Sequence, residues 1–494
     1  MGDLWETVRK TLKKRPWIGK VAFVENTATN PGRPLTMKLS RKQVRCKILS
    51  VPELRFEDQQ LTSFAGLFLF QLLFARVELK ERLRACFRRW ALERAHDPAA
   101  IVLSLILHLL LGFRQLRDSR YYRDDPMVHR VLGVRRLPDV ATVSRFLAAT
   151  QGDDVAELRH LCRQLVLERV RALALRRVTL DFDGSVIPTG RWAEGTAVGY
   201  NRAKKGQRSY YPLLCTVAQT GQVFDVLHRP GNVHDSNGAE AFITACVEGL
   251  QQALSGVRIE VRMDSAFFSD AIVRRLDRLG VEFTISVPFE RLAELKSCVE
   301  GRRHWRRLDG EHDYFELRWK PKSWPRRNRF LVVRHRVTIR DKAPVQLDLF
   351  VPFVFGYECK VVVTNKKARA REVVRFHNGR GAQEGVLAEL KSQGQLDYVP
   401  TQTLAGNQIF LLSSVLAHNL NRELQMTARP QAHTTTTKRR PLWEFDQLET
   451  LRRQLIQRAG RLTQPQGRLT LTMSANQAAR NDLLHYRTAL EKAA

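Results

Sequence analysis

The sequence predicts an α/β protein with an α-helical N-terminal region, a mostly β insert late in the chain and a small α+β C-terminal tail. Three observations predict it. The hydrophobic period is helical from Glu57 to about Thr150. The period then changes to two in VTLDFDGSVIP, with further strands around Leu213–Ala218 and Val223–Leu227, and, after a helix over Gly238–Leu254, again in IEVRMDS, which a helix and a strand follow. Between Glu290 and about Lys366, the runs FLVVRHRVTI, LDLFVPFVF and ECKVVVT read as consecutive strands.

Composition narrows the class before any element is considered. The 494 residues are 44% hydrophobic with eight tryptophans, so the chain is long enough for several domains with proper cores. Lys plus Arg number 82 against 50 Asp plus Glu, a formal charge of +32. An excess of that size points to a polyanionic partner, most simply nucleic acid. Seven cysteines without a CxxC suit reduced thiols and give no zinc site. No secretory signal pattern opens MGDLWETVRKTLKKRP, and the apolar runs Phe64–Ala75 and Ile101–Phe113 are too short to span a bilayer. The expectation is a cytoplasmic protein with no membrane partner.

Taken in order, residues 1–56 form a basic arm. Its first fifty residues hold twelve Lys or Arg against three acids, with Trp5 and Trp17 among them. Such an arm tracks a phosphate backbone, or is simply a solvated tail. Residues 57–175 form a helical region, with buried helices in LTSFAGLFLFQLLF and IVLSLILHLLLGF; His108 in the second is a core histidine. Within it YYRDDPMVHRVLG and VRRLPDVATVSRFLAAT, joined at Gly133, resemble a helix-turn-helix. Thr142, Ser144 and Arg145 would then face DNA; the alternative is a packing hairpin.

Residues 176–289 are the first part of the core. Thr179, Asp181 and Asp183 alternate with Val178, Leu180 and Phe182, so two acids share one strand face. That is costly unless a cation neutralises them. Asp183, at the strand end beside Gly184 and Ser185, is the first metal-ligand candidate, with Asp181 as second choice. A Gly-rich basic loop (Asn201, Arg202, Lys204, Lys205, Arg208) follows and suits phosphate contact. Asn232, His234 and Asp235 either line the same cleft or form turns. Asp264 ends the apolar strand Ile259, Val261, Met263, at the carboxyl end where α/β sheets place their ligands. It is the second ligand candidate, and Ser269 or Asp270 suits the cap of the next helix better.

Residues 290–366 are the β insert. Trp305, Trp319 and Trp324 lie among arginines there, which suits stacking on flipped bases or, equally, a sheet core. Residues 367–427 complete the core. In FHNGRGAQEGVLAELK, a continuous helix would put His377, Arg380, Glu384 and Lys391 within roughly 60° of arc, with Val386, Leu387 and Leu390 beside them for packing. Such a face can hold phosphate through Arg and Lys and a cation through Glu384; the alternative is a solvated stripe of i, i+4 pairs. Residues 428–494 are a low-complexity linker, TARPQAHTTTTKRRP, and a helix-and-strand tail.

Asp183, Asp264 and Glu384 are hard oxygen ligands for two Mg²⁺ or Mn²⁺ ions, if they converge. With LDFDGS, GYNRAKKGQRSYYPLL, HRPGNVHDS, VRMDSAFFS, FHNGRGAQEGVLAELK and, upstream, LPDVATVSRFL, the chain resembles the DDE transposases of bacterial insertion sequences. It is most similar to the cut-and-paste group with a β insert before the catalytic Glu, and within it to the insertion-sequence group numbered thirteen-eighty. That group's helix motif is Tyr, two residues, Arg, three residues, Glu, six residues, Lys. Arg380, Glu384 and Lys391 match it, and His377 stands where Tyr is usual. The resemblance implies an RNase H-like catalytic core and catalytic, metal-holding Asp183, Asp264 and Glu384. It implies phosphate contacts from Arg380 and Lys391. It also implies binding of double-stranded DNA at terminal inverted repeats, a homodimeric synaptic complex, and strand cleavage followed by strand transfer, commonly through hairpin ends. Two further readings of the same residues are an RNase H-like nuclease or resolvase without strand transfer, and a catalytically silent DNA-binding protein.

Overall fold

The computed structural model describes residues 53–90, 96–190, 192–199, 201, 204–233, 238–336, 353–354, 356–434 and 437–492. Most of the basic arm, with Trp5 and Trp17, lies outside them, as do Arg202, His234, Asp235 and most of the LDLFVPFVF run. The chain divides into a unit of residues 1–58 and a second of 59–494, and all the described helices and strands belong to the second.

The second unit opens with a two-residue strand, β1 (Leu61–Thr62), and then turns helical. Helices α1 (Leu67–Arg76), α2 (Leu79–Cys86), α3 (Pro98–Leu111), α4 (Pro126–Leu132), α5 (Val140–Ala149) and α6 (Gly152–Ala172) follow. The start of α3 illustrates why. Asp97 accepts from the Ala99 N–H and Pro98 occupies the first turn, a cap and a preset φ that begin a helix at low cost. Every residue of α3 but Ala100 is buried, so it packs on all sides. His108 on it donates to or accepts from Tyr122 Oη through Nδ1 at 2.8 Å, and burial brings its pKa down to about 4.

The sheet comes next in the chain: β2 (Arg177–Gly184), a small separate sheet of β3 (Ile187–Pro188), β4 (Ala197–Val198) and β5 (Arg208–Tyr210), then β6 (Leu213–Val217) and β7 (Gln222–Leu227). Helix α7 (Ala239–Ala253) leads to β8 (Arg258–Met263), and α8 (Asp270–Arg278) to β9 (Glu282–Ser286). These five larger strands lie in the order β7-β6-β2-β8-β9. β2, β8 and β9 run parallel, while β6 and β7 pair antiparallel. After α9 (Ala293–Glu300), strands β10 (Arg306–Arg307), β11 (His312–Trp319), β12 (Asn328–Arg336), β13 (Phe353–Val354) and β14 (Tyr357–Thr364) continue the same sheet, because β14 pairs antiparallel with β9. The strands expected as an insert are therefore hydrogen-bonded to the core.

Helices α10 (Ala370–Asn378), α11 (Gly381–Ser392) and α12 (Leu404–Ala428) come next, then α13 (Leu448–Leu451), β15 (Gly460–Thr463), β16 (Thr470–Met473) and α14 (Gln477–Lys492). The C-terminal elements are more than an appended tail. β15 pairs with β1, α14 packs on α1 and α12, and buried Arg452 donates to the carbonyls of Leu109, Leu110 and Gln393. One apolar cluster joins α1–α6, α12 and these elements; a second lies between the sheet and α6, α7 and α8. Among the described residues no helix is long and apolar enough to cross a membrane.

Candidate active site

Alternation along β2, β8 and β9 gives the sheet one apolar and one polar face. Val178, Leu180, Phe182, Ile259, Val261, Met263, Phe283 and Ile285 fill the apolar core. The other face is a ladder of polar rungs set by the register, Thr179–Glu260–Glu282 and then Asp181–Arg262–Thr284. One step further toward the carboxyl ends come Asp183, Asp264 and Ser286. Five of the six residues of the first two rungs are almost wholly buried, with Glu282 at the edge partly exposed, and Asp183, Asp264 and Ser286 are partly open.

Burying charge requires partners, and the inner rungs have them. Glu260 accepts from Lys366 Nζ at 2.7 Å, Arg439 Nε at 2.9 Å, Arg177 Nη1 at 3.0 Å and Thr179 Oγ1 at 3.1 Å. Burial alone would raise its carboxyl; Lys366 and Arg439 overcome that and hold the pKa at about 2. Asp181 forms a two-pronged pair with Arg262, Nε to Oδ1 at 2.5 Å and Nη2 to Oδ2 at 2.7 Å. Burial pushes the Asp181 carboxyl up while Arg262 pulls it back. As second choice for the metal ligand, Asp181 is thus already committed to a guanidinium within the sheet.

Asp183 stands at the open end, and its partner comes from far along the chain. Arg380 Nη1 lies 3.3 Å from Asp183 Oδ2, and Arg380 Nη2 lies 3.2 Å from Glu384 Oε1. One guanidinium therefore spans a strand-end acid and a helix acid. Lys391, about two turns along the same face of α11, is partly buried; burial lowers its pKa, and the charges of Asp397 and Asp183 oppose that. Asp264 follows Met263, the register partner of Phe182, so Asp183 and Asp264 occupy neighbouring strand ends. Asp264 Oδ1 also accepts from the Ala266 N–H at 3.0 Å, capping a short 3-10 turn, while Ser269 caps α8 as expected.

The helix expected across 376–391 is in fact two. Three i→i+3 bonds (Arg380 N to His377 O, Ala382 N to Gly379 O, Gln383 N to Arg380 O) tighten the chain between α10 and α11. A Cβ at Gly379 would stand 2.0 Å from the Lys438 carbonyl and 2.2 Å from Arg262 Nη1. Only glycine permits that approach. The break carries His377 off the face of Glu384 and onto β9, with Nδ1 3.0 Å from Thr284 Oγ1 and Nε2 2.8 Å from Ser286 Oγ. Burial and the charges of Arg380, Arg262 and Lys360 bring its pKa down to about 3. The ring is held on β9 by two hydroxyls, off the helix face on which it was expected to stand beside Glu384.

A family model described as transposase DDE domain group 1 matches residues 47–494. The chain belongs to this family of DDE transposases. A comparison with curated proteins gives no match. Among solved structures it is similar to a piggyBac transposase synaptic complex with hairpin DNA, at 10% identity over 87% of this chain and 85% of that one, TM-score 0.42. It is also similar to the Mos1 transposase paired-end complex with the left transposon end, at 14% identity over 39% of this chain and 60% of that one, TM-score 0.16.

The remaining candidates of this DDE transposase divide by exposure. In the basic loop Lys204 and Lys205 are exposed, and Asn201 Oδ1 accepts from the Lys204 N–H at 3.1 Å. Arg208, by contrast, is turned inward onto Thr196. The three insert tryptophans all have aromatic partners within the protein. Trp324 is 6% exposed and stacks on Phe268, and Trp319 meets Phe330 edge-on. Trp305 meets Phe315 edge-on and lies under Arg334. Buried against Phe268, Trp324 has no face to offer a base. Trp192, which carries no periodicity or motif signal in the sequence, is 60% exposed in the loop between β3 and β4. On α5, Ser144 and Arg145 are exposed and Thr142 is half-buried beneath the Asp139 cap. α5 packs on α12 and α3, and seven residues separate it from α4, longer than a helix-turn-helix turn.

Two residues that sequence reasoning missed also shape the site, Arg262 and Gln383. Buried Gln383 donates to the Asp181 carbonyl at 3.0 Å and ties α11 to β2. Arg262 was legible from alternation alone, two residues before Asp264 on the same face.

Among the described residues, no three His, Cys, Asp or Glu side chains already stand together as a metal cage. The donor set fits a hard divalent ion in kind, since it is all oxygen. Arg380 now balances two of the charges such an ion would balance.

Proposed function

We propose that this protein is the transposase of a bacterial insertion sequence of the group numbered thirteen-eighty, with Asp183, Asp264 and Glu384 as its catalytic acids. The observation that carries the reading is the Arg380 bridge between Asp183 and Glu384, at the open end of a sheet face that also ends in Asp264. The strand order, three central parallel strands with an antiparallel pair beyond the first, supports an RNase H-like core. The charge of +32 supports double-stranded DNA as the partner.

In this reading the three acids would hold two Mg²⁺ or Mn²⁺ ions, which would supply Lewis acidity to an attacking water or 3′-hydroxyl and to the leaving oxygen. Arg380 and Lys391 would each hold a non-bridging oxygen of the scissile phosphate. The buried inner rungs exclude water beneath the acids and leave reaction only at the open rung. His377 contributes through orientation, fixing the end of α10 on β9. Lys204 and Lys205 contact the flanking backbone. The protein binds terminal inverted repeats as a homodimer in the cytoplasm, cuts the element free and joins its 3′ ends to target DNA.

The test is cleavage and strand transfer on a duplex carrying the element's ends, with Mg²⁺ or Mn²⁺, wild type beside Glu384→Ala. Divalent-dependent cutting and joining by wild type, lost in the variant while the duplex is still bound, is expected. Cutting retained by Glu384→Ala removes Glu384 from the chemistry.

A further inference from the structure

We propose that Arg262 is a positioning residue that sets the α10–α11 junction, and with it Arg380 and Glu384, against Asp183, and that the segment between α12 and α13 completes this setting. The proposal rests on the transposase reading and adds residues outside the acid triad. Arg262 is 0% exposed and the largest wholly buried side chain among the described residues. All of its nitrogens are used. Nε and Nη2 hold Asp181 on β2, while Nη1 donates to the Phe376 carbonyl at 3.0 Å and the Lys438 carbonyl at 2.9 Å. One planar fork thus joins β2, β8, the last turn of α10 and a segment from the C-terminal part of the chain.

That segment was expected to be a linker. Its described residues are instead fastened at both ends and at the tip. The Ala432 and His433 N–H groups donate to the Leu442 carbonyl, and the Leu442 N–H donates to the Gln219 carbonyl. At the tip Arg439 enters the polar face and donates through Nε to Glu260 Oε2 at 2.9 Å. Arg439 adopts φ +46°, a left-handed conformation that a long side chain keeps only when its surroundings hold it there. The Phe376 ring contacts both Lys366 Nζ, 4.3 Å from its centroid, and the Arg262 guanidinium, 5.2 Å from it. The tip therefore presses on the carbonyl side of the junction at Gly379, the residue before Arg380. A shift of Lys438 or Arg262 is transmitted to Arg380 with little intervening chain. Misplacement by about 1 Å costs on the order of 100-fold in rate at a site of this kind.

Two variants of the full chain test this. Arg262→Lys keeps a charge opposite Asp181 but cannot serve both oxygens and two carbonyls. Arg439→Ala removes the tip contact and leaves Lys366 and Arg177 on Glu260. Without metal, hydrogen exchange is expected to rise about tenfold in residues 376–384 of both variants and to stay unchanged in α12. With Mn²⁺, end cleavage is expected to fall about 100-fold with unchanged duplex affinity and a higher half-saturating Mn²⁺ concentration. Wild-type exchange at 376–384 in both variants, or an equal rise throughout α12, overturns the proposal. Asp183→Asn run alongside separates the two claims. If it cuts like wild type, the catalytic reading fails; if it is inert while both variants match wild type, only the positioning role fails.

Discussion

Arg380 Nη1 meets Asp183 Oδ2 at 3.3 Å across 197 residues of sequence, so a side chain at the start of α11 reaches the acid at the end of β2. The guanidinium does for the resting acids what a cation must do when they act: it relieves their repulsion. Arg380→Ala is therefore expected to lower cleavage by about 100-fold, in line with loss of a transition-state cation. Binding of the end duplex should change by less than about 1.4 kcal/mol, a factor of ten. An electrophoretic shift beside single-turnover cleavage checks it; equal losses in both would make Arg380 a general DNA contact.

The Asp181–Arg262 pair is buried and fully paired, so breaking it from one side leaves a stranded charge. Asp181→Ala is expected to cost about 3–5 kcal/mol in urea unfolding. A loss below about 1 kcal/mol would mean that water reaches Arg262.

Glu260 gives a pH signature. Its folded pKa of about 2 lies below the ordinary 4.5, so its contribution is present above pH 4.5 and is lost as pH falls through 2. The shift corresponds to roughly 3 kcal/mol. Glu260→Gln should therefore be less stable than wild type at pH 7, and the gap should narrow between about pH 4.5 and 2. A gap independent of pH would contradict the ion pairing with Lys366 and Arg439.

His377 shifts stability with pH in the same sense, although its neutral form is the one the fold keeps. Its folded pKa of about 3 lies below the ordinary 6.5, so the unfolded chain binds the extra proton and the cost to stability grows as pH falls from 6.5 toward 3. Between pH 6 and 8 the ring stays neutral. The cleavage–pH profiles of wild type and His377→Tyr should therefore run parallel there, and a bend near pH 6.5 in wild type alone would put the imidazolium in the chemistry.

The tryptophans separate packing from surface. Trp324→Ala should cost about 3–5 kcal/mol in thermal or urea unfolding, and Trp192→Ala less than about 0.5. The reverse order would relocate the exposed aromatic.

These residues also mark what the sequence could and could not disclose. Strands β2 and β8 and their terminal acids were legible because alternation with period two is a local property, and so was the wholly apolar α3. The break at Gly379 was not, because its cause is the Lys438 carbonyl, far along the chain. For the same reason a Thr-rich stretch read as a linker: what fastens it is Arg439 reaching Glu260, a contact no window of sequence contains. The insert tryptophans read equally as core or surface, and only their partners Phe268, Phe330 and Phe315 distinguish the two.

The most direct test of the central claim needs no knowledge of the element's ends. Fe²⁺ with ascorbate and peroxide, substituted for Mg²⁺, cuts a polypeptide backbone beside the bound ion. Fragments ending near Asp183, Asp264 and Glu384 together, suppressed by excess Mg²⁺ and absent in Asp183→Asn, are the expected result. Cuts at only one of the three, or a pattern unchanged by Asp183→Asn, would contradict a shared metal centre.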